Sequence, residues 1–516
     1  MAETQAAPRF SRIAVPEALA RLTALQWMAI GATVVTFAVY VATALRGVSF
    51  GDWAEMQGVP ARLEVPHTTG FPLYTLLTKA FTLIPVGSMA FRATLLSATA
   101  AAGAIGMVVL IAGRLGVRPV IALAAGIALA GTATLWEEAT FSEMNTLHLF
   151  LSALLIHRAI VWRAERRDFD LRLGALFSGL VLSNHTIALS LVPVIILFVL
   201  VEDRLQVLRR PRFVLELALL FAAGLSFYLF ILVRAVAGPE ALYGDLRSVE
   251  GFFAFVTAAQ YRVDMKFGTG ESIAAAWRAI PDLLAGVEQR ANVAFSLVPI
   301  AGAVVLLRRD RWAGWLTVAI VAANVYLYVG YRGDLPHYLL VSWLILAIWL
   351  AVAVDAAVSW IRERIGSRFD DFEYGLIAVA AIFLVSNWTA HDQSANRVGE
   401  DYTREVLARL PPNALLVTYW DTLTALSYKH CIEGERPDVA IIAHDRPLTA
   451  SCDLITEPLE VVARTRPIYA LEVFDGSLDR WRSSFDFVTE ATIQVPYGGR
   501  MPEFDRPLYR MVPKGP

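Results

Sequence analysis

The chain has 516 residues, 56% of them hydrophobic, and a formal net charge of −2. With a mean hydropathy of +0.53 it is too apolar for a soluble domain of this size and reads as a polytopic membrane protein. The near-neutral charge and the lack of a basic stripe exclude a nucleic-acid partner. Only Cys431 and Cys452 are present, which excludes a disulfide framework or a cysteine-ligated metal and leaves one disulfide open.

Residues 1–22 are polar, carry Arg9, Arg12 and Arg21, and precede an apolar run from Thr23 to Leu45 that is long enough to span. Ala42-Thr43-Ala44 has the form of a cleavage site, but the run exceeds the roughly 7–15 residues of a signal core, so a retained helix is expected. Further runs follow at Met89–Gly113, Pro119–Leu135, Asn145–Trp162, Leu171–Val201, Phe213–Val236, Ala291–Leu307, Trp312–Gly330, Pro336–Trp360 and Tyr374–Thr389. The run 171–201 is long for one crossing and short for two.

Arginine position decides that case. Clusters occur at Arg114 and Arg118, at Arg163, Arg166, Arg167 and Arg172, at Arg204, Arg209, Arg210 and Arg212, at Arg308, Arg309 and Arg311, and at Arg362, Arg364 and Arg368. If all face the cytoplasm, an even number of crossings separates each from the next, and 171–201 must be a hairpin turning at Asn184-His185. About eleven spans result, in a module 23–390, with a cytoplasmic N-terminal segment (1–22) and an outer C-terminus. The outer connections, mainly 46–88 and 237–290, then gather Asp52, Glu55, His67, Glu137, Glu138, Glu143, His185, Asp245, Arg332 and Asp334, with His337 just inside the next helix.

From about His391 the pattern becomes that of a water-soluble unit. An apolar strand at Ala414–Trp420, a helix at Thr422–Glu433 and a strand at Asp438–Ala443 make a β-α-β unit. Strand candidates at Pro467–Val473, Phe485–Thr489 and Leu508–Val512 extend it to a small α/β domain, 391–516, expected on the extracytoplasmic side.

The densest chemistry lies between Gly51 and Tyr74, where the first span ends. Asp52 and Glu55, three apart, share a face of one helical turn and could act on one substrate hydroxyl; the competing role is a helix cap. Pro66-His67-Thr68-Thr69-Gly70-Phe71-Pro72-Leu73-Tyr74 is a stiff turn leading into a half-polar run, Leu76–Pro85, expected to lie in the membrane interface. Its imidazole could bond a phosphate or a sugar hydroxyl. Glu143 opens a span in Ser142-Glu143-Met144-Asn145, and His185 at the hairpin tip is costly unless paired or facing a cavity. Tyr243, Asp245 and Gln260-Tyr261-Arg262 lie in the longest outer loop, and Arg332, Asp334, His337 and Tyr338 around the start of the tenth span; arginine, tyrosine and histidine near the headgroup level suit a lipid phosphate, and equally an interfacial anchor. The sequons Asn184-His185-Thr186 and Asn387-Trp388-Thr389 are of a kind that arises by chance. No Gly-rich phosphate loop, His-Glu-x-x-His or Gly-x-Ser-x-Gly supports an ATPase, zinc protease or hydrolase.

The order of these motifs resembles a known family. An N-terminal span, an outer Asp-x-x-Glu, the His67–Tyr74 turn and an Arg92-x-x-Leu-Leu-Ser helix are similar to the protein O-mannosyltransferase-like membrane glycosyltransferases of the GT-C superfamily, in particular bacterial relatives of transmembrane protein 260 (domain of unknown function 2723 family). Gly179–His185, Tyr243-Gly244-Asp245, Gln260-Tyr261-Arg262 and Arg436-Pro437-Asp438-Val439 carry the likeness along most of the chain. Thr68-Thr69 stands where the family more often has Pro-Pro, and Trp53-Ala54 fills a spacer that is often Ser-Gly or Ala-Gly.

The resemblance implies transfer of a sugar, mannose among the candidates, from a polyprenyl-phosphate donor to a hydroxyl acceptor on a protein, glycan or lipid outside the cytoplasmic membrane. Asp52 would be the general base of an inverting displacement, assisted by Glu55. His67, Tyr74, Arg92, Glu143, His185, Tyr243, Asp245, Arg332 and His337 would bind substrate, the arginines, histidines and tyrosines among them offsetting charge on the departing phosphate. No metal is demanded, although Asp52, Glu55 and Glu143 could hold a divalent cation. A multi-span transporter is the rival reading. It is disfavoured because the ionisable residues fall at helix ends rather than at mid-membrane and no repeat is visible.

Overall fold

The computed structural model describes residues 22–237, 246–267, 293–331, 336–365, 372–444, 452–453, 457–472, 476–495 and 504–514, with residues 270, 274 and 455. Helix α1 (Ala24–Thr43) opens on a capping box, the Thr23 hydroxyl accepting from the Gln26 N–H. Short helices α2 (Gly51–Gly58) and α3 (Pro72–Thr82) follow, α3 with proline in its first turn, where its missing N–H costs nothing. Then come α4 (Met89–Arg114), α5 (Pro119–Ala130), α6 (Ala133–Thr140), α7 (Asn145–Glu165), α8 (Asp168–Asn184), α9 (Val192–Glu202), α10 (Pro211–Leu225), α11 (Leu229–Ala237) and α12 (Val249–Val256). Helices α13 (Val293–Arg309), α14 (Arg311–Gly330), α15 (Leu340–Ile365), α16 (Phe372–Ser386) and α17 (Trp388–His391) complete the bundle.

Among the described residues six helical stretches are long and apolar enough to cross a membrane: α1, α4, α7, Pro211–Ala237, α14 and Pro336–Arg364. The bent pair α5 and α6 makes a seventh if it is one span. The run expected at 119–135 stops at Ala130, and the chain turns by 69° into α6. Two contacts hold that bend: Thr132 Oγ1 donates to Leu129 O, and Asn387 Nδ2 to Gly131 O. Asn184 likewise donates to Met144 O, so both sequon amides serve inside the bundle. The shorter members, α8, α9, α13 and α16, have 17, 11, 17 and 15 residues.

Helix α4 is the centre, with 83% of its apolar window buried, whereas α1 and Pro211–Ala237, at 22% and 11%, turn their apolar side chains outward to lipid. Close helix packing in lipid depends on small residues. Where α8 crosses α10, a Cβ on Gly179 would stand 2.2 Å from Phe221 O and 2.8 Å from Gly224 Cα.

Ion pairs gather at one end of the bundle. Arg114 pairs with Glu165 at 2.7 Å, Arg118 with Asp355 at 2.7 Å, Arg158 with Asp170 at 3.1 Å, and Arg163 and Arg166 with Asp310 and Glu202. Since α8 starts and α9 finishes beside this arginine cluster, the chain does turn back at Asn184-His185. At the opposite end, the acid end, lie Asp52, Glu55, His67, Glu138, Glu143 and His337.

Helix α18 (Val398–Arg409) leads into a five-stranded sheet of β1 (Leu415–Thr418), β2 (Ala440–Ala443), β3 (Ile468–Leu471), β4 (Phe485–Val495) and β5 (Phe504–Pro513) in the order β2-β1-β3-β5-β4. Strand β1 is parallel to β2 and β3, and β5 is antiparallel to β3 and β4. Helix α19 (Trp420–Cys431) links β1 to β2, and α20 (Leu459–Val462) precedes β3. A Cys431–Cys452 disulfide ties the end of α19 to the connection that follows β2. This unit sits on the acid end: α19 packs against α2, Tyr428 Oη accepts the Ala90 N–H at 2.8 Å, and Glu400 accepts the Val48 N–H at 3.1 Å.

Candidate functional site

Phe50, not Asp52, occupies the N-cap of α2, so Asp52 lies in the first turn with its carboxylate uncommitted to capping. One turn later Glu55 points inward and is fully buried. Glu55 Oε1 accepts the His67 backbone N–H at 2.9 Å, and its other oxygen is bonded to His67 Nδ1. The far ring nitrogen, Nε2, is 3.9 Å from Asp52 Oδ2. A histidine is thereby strung between two carboxylates that share a helix face. The turn that presents it is closed by the Gly70 N–H donating to His67 O at 2.7 Å. Gly70 has φ +81°, and a Cβ there would meet Ile231 Cδ1 at 2.7 Å.

Burial works against charge on His67, but Asp52 and Glu55 outweigh it and push its pKa up to about 10. The ring is an imidazolium at neutral pH. Glu143 is raised well above the usual carboxylate range, first by burial and then by Glu138 and Asp52. Asn145 Nδ2 bridges the acids, donating to Glu138 at 3.0 Å and to Glu143 at 3.4 Å, and His337 Nδ1 lies 3.5 Å from Glu138.

A cavity of about 300 Å³ joins these groups. Asp52, Glu138, Glu143 and His337 line one wall, and Tyr402, Asp421, Thr422 and Arg506 of the α/β unit line the other. Of the residues singled out in the sequence, Asp52, Glu55, His67, Glu143 and His337 thus come together. Tyr74 supports them from behind, its buried hydroxyl 2.9 Å from Ser142 Oγ beside Glu143. His185 lies one layer deeper, its ring centroid 5.3 Å from Phe71 and 5.6 Å from Tyr338, with Nδ1 accepting the Ile187 N–H.

Arg92 is not brought to the cluster. Its guanidinium donates to the carbonyls of Thr82, Val86 and Gly87, closing the end of α3. Tyr243, Asp245, Arg332 and Asp334 lie outside the described residues. Asp52, Glu55 and His67 offer donor atoms all within 4.8 Å of one another and could hold a divalent cation. Glu143 is instead engaged by the Met144 N–H at 3.1 Å and by Asn145.

Trp420, Asp421, Arg506 and Glu138 were not foreseen as site residues. The Trp420 indole N–H donates to Asp52 Oδ1 at 2.8 Å. A signal existed: Trp420-Asp421 comes one residue after the apolar strand β1, and crevices form at the carboxyl ends of parallel strands.

A family model described as the protein O-mannosyl-transferase TMEM260 N-terminal domain matches residues 52–208. The mouse protein O-mannosyl-transferase TMEM260 is 27% identical over 434 residues, 78% of this chain and 61% of that protein. Its namesake from Dictyostelium discoideum is 21% identical over 458 residues, 78% of this chain and 55% of that protein. The chain therefore spans less than two thirds of the length of either relative. The crystal structure of ArnT from Cupriavidus metallidurans in the apo state superposes with a TM-score of 0.63 at 12% identity, covering 94% of this chain and 97% of ArnT. ArnT bound to undecaprenyl phosphate gives 0.61 at 12%, covering 95% and 98%. The chain is a polytopic membrane protein of GT-C fold, O-mannosyltransferase-like in sequence.

Proposed function

We propose that this chain is a membrane glycosyltransferase that moves a sugar from a polyprenyl-phosphate carrier to a hydroxyl acceptor, with Asp52 as general base. The observation that carries the reading is the Asp52 carboxylate, tied through His67 to buried Glu55 at the wall of the cavity. Asp52 takes the acceptor hydroxyl's proton as the oxygen bonds to the anomeric carbon. The bond from that carbon to the phosphate oxygen breaks, its electron pair leaves with the lipid phosphate, and a single displacement inverts the centre. The imidazolium of His67 and the nearby His337 offset charge near the departing phosphate. Glu55 orients His67.

The undecaprenyl phosphate bound by ArnT supports a polyprenyl-phosphate donor, and the name of the mouse relative supports mannose and a protein acceptor. The arginine-rich end supports a cytoplasmic face there. The acid end and residues 391–516 are then extracytoplasmic, the N-terminus is inside, and the crossings number eleven. Membranes containing the protein, given radiolabelled polyprenyl-phosphate sugars, are expected to yield labelled acceptor. Solute uptake into proteoliposomes without any sugar transfer would replace this reading by a transporter.

A further inference from the structure

The carboxylate of Asp52 is held by a residue 368 positions away in the chain. The indole N–H of Trp420 donates to Oδ1 at 2.8 Å, while His67 Nε2 lies 3.9 Å from Oδ2. An indole nitrogen donates and never accepts, so Trp420 can fix this carboxylate but cannot compete with it for a proton. Asp52 needs such a hold. Its side chain is 51% exposed, in contrast to the buried Glu55 one turn away.

Trp420 is itself indexed to the sheet rather than to the helix bundle. It begins α19 at the carboxyl end of β1, where the Leu423 N–H donates to Tyr419 O at 2.7 Å and the Thr418 and Thr422 hydroxyls are 2.6 Å apart. The adjacent Asp421 accepts from the Thr422 N–H at 2.8 Å and from Arg506 Nη2 of β5 at 3.1 Å. Arg506 is 3% exposed, so this anchor is held in a buried position at the cavity wall. A continuous chain of bonds runs from β5 through Asp421 and the start of α19 to the proposed base.

We infer that Trp420 is a positioning residue for sugar transfer, by which the C-terminal α/β unit completes the site built by the helices. It holds Oδ1 and leaves Oδ2 to receive the acceptor's proton. The inference rests on Asp52 acting as the base.

Trp420→Phe keeps an aromatic ring and removes the N–H. In the full-length protein, assayed with a labelled polyprenyl-phosphate sugar, kcat is expected to fall about ten- to hundredfold. KM for the donor and the thermal midpoint in detergent stay at wild-type values. Trp420→His, which restores a ring N–H, recovers most of the loss. An unchanged kcat in Trp420→Phe overturns the inference, as does a loss that appears in KM or the midpoint or that histidine does not recover. Asp52→Asn assayed alongside separates the two claims. If it is inactive while Trp420→Phe matches wild type, only the role of Trp420 is lost; if it is active, the base assignment itself fails.

Discussion

Glu55→Gln is the substitution whose consequence is best defined by the structure. Gln keeps an oxygen for the His67 backbone N–H but cannot neutralise the imidazolium. The His67 pKa is about 10 in the folded chain against an ordinary 6.5. At about 1.4 kcal/mol per pH unit across that interval, the charged ring is favoured, net of its burial, by about 5 kcal/mol. The sign follows from the direction of the shift. A raised histidine pKa contributes stability that is fully present below pH 6.5, declines above it, and is gone near pH 10. Asp52, half exposed and 3.9 Å away, retains part of the hold. Glu55→Gln is therefore expected to cost about 3 kcal/mol near pH 7, in line with breaking a buried pair. The difference from wild type should fade towards pH 10. Denaturation midpoints of both proteins in detergent, in chelator-containing buffer from pH 6.5 to 10, measure it. A deficit that is absent, or constant across that range, would refute the charged Glu55–His67 pair.

Removing the Tyr74 hydroxyl (Tyr74→Phe) strands Ser142 in a buried site and is expected to cost about 1–2 kcal/mol, read as a lower thermal midpoint; an unchanged midpoint would contradict it. Digestion without reductant should release Cys431 and Cys452 as linked peptides, and Cys431→Ser should lower stability by about 3 kcal/mol for a 21-residue separation. Free thiols in the native protein would contradict the link.

The parts of this site that were legible in the sequence were local ones. Asp52, Glu55 and His67 lie within sixteen residues, and helical spacing alone puts the first two on one face. That Glu55 would turn inward to His67 while Asp52 stays at the cavity was not legible, because it depends on how the turn closes under α2. The place of Arg92 was not legible for a related reason: a cation near a helix end suits a phosphate, but it serves equally well to satisfy carbonyls, and here it takes three. The arginine clusters located the turn at Asn184-His185 because charge distribution constrains the whole topology. The same reasoning could not find the break after Ala130, which Asn387 holds from the junction of α16 and α17. Trp420 and Arg506 escaped notice because they reach the site only through tertiary docking of the sheet, although their strand-end position carried a hint.

The most direct test of the central claim compares membranes carrying wild-type protein with membranes carrying Asp52→Asn, given the same labelled polyprenyl-phosphate sugar. Asparagine keeps the shape and an oxygen for Trp420 but cannot take a proton, so transfer is expected to fall by about 10²–10⁴-fold with the protein still folded. Equal labelling by the two would contradict the account.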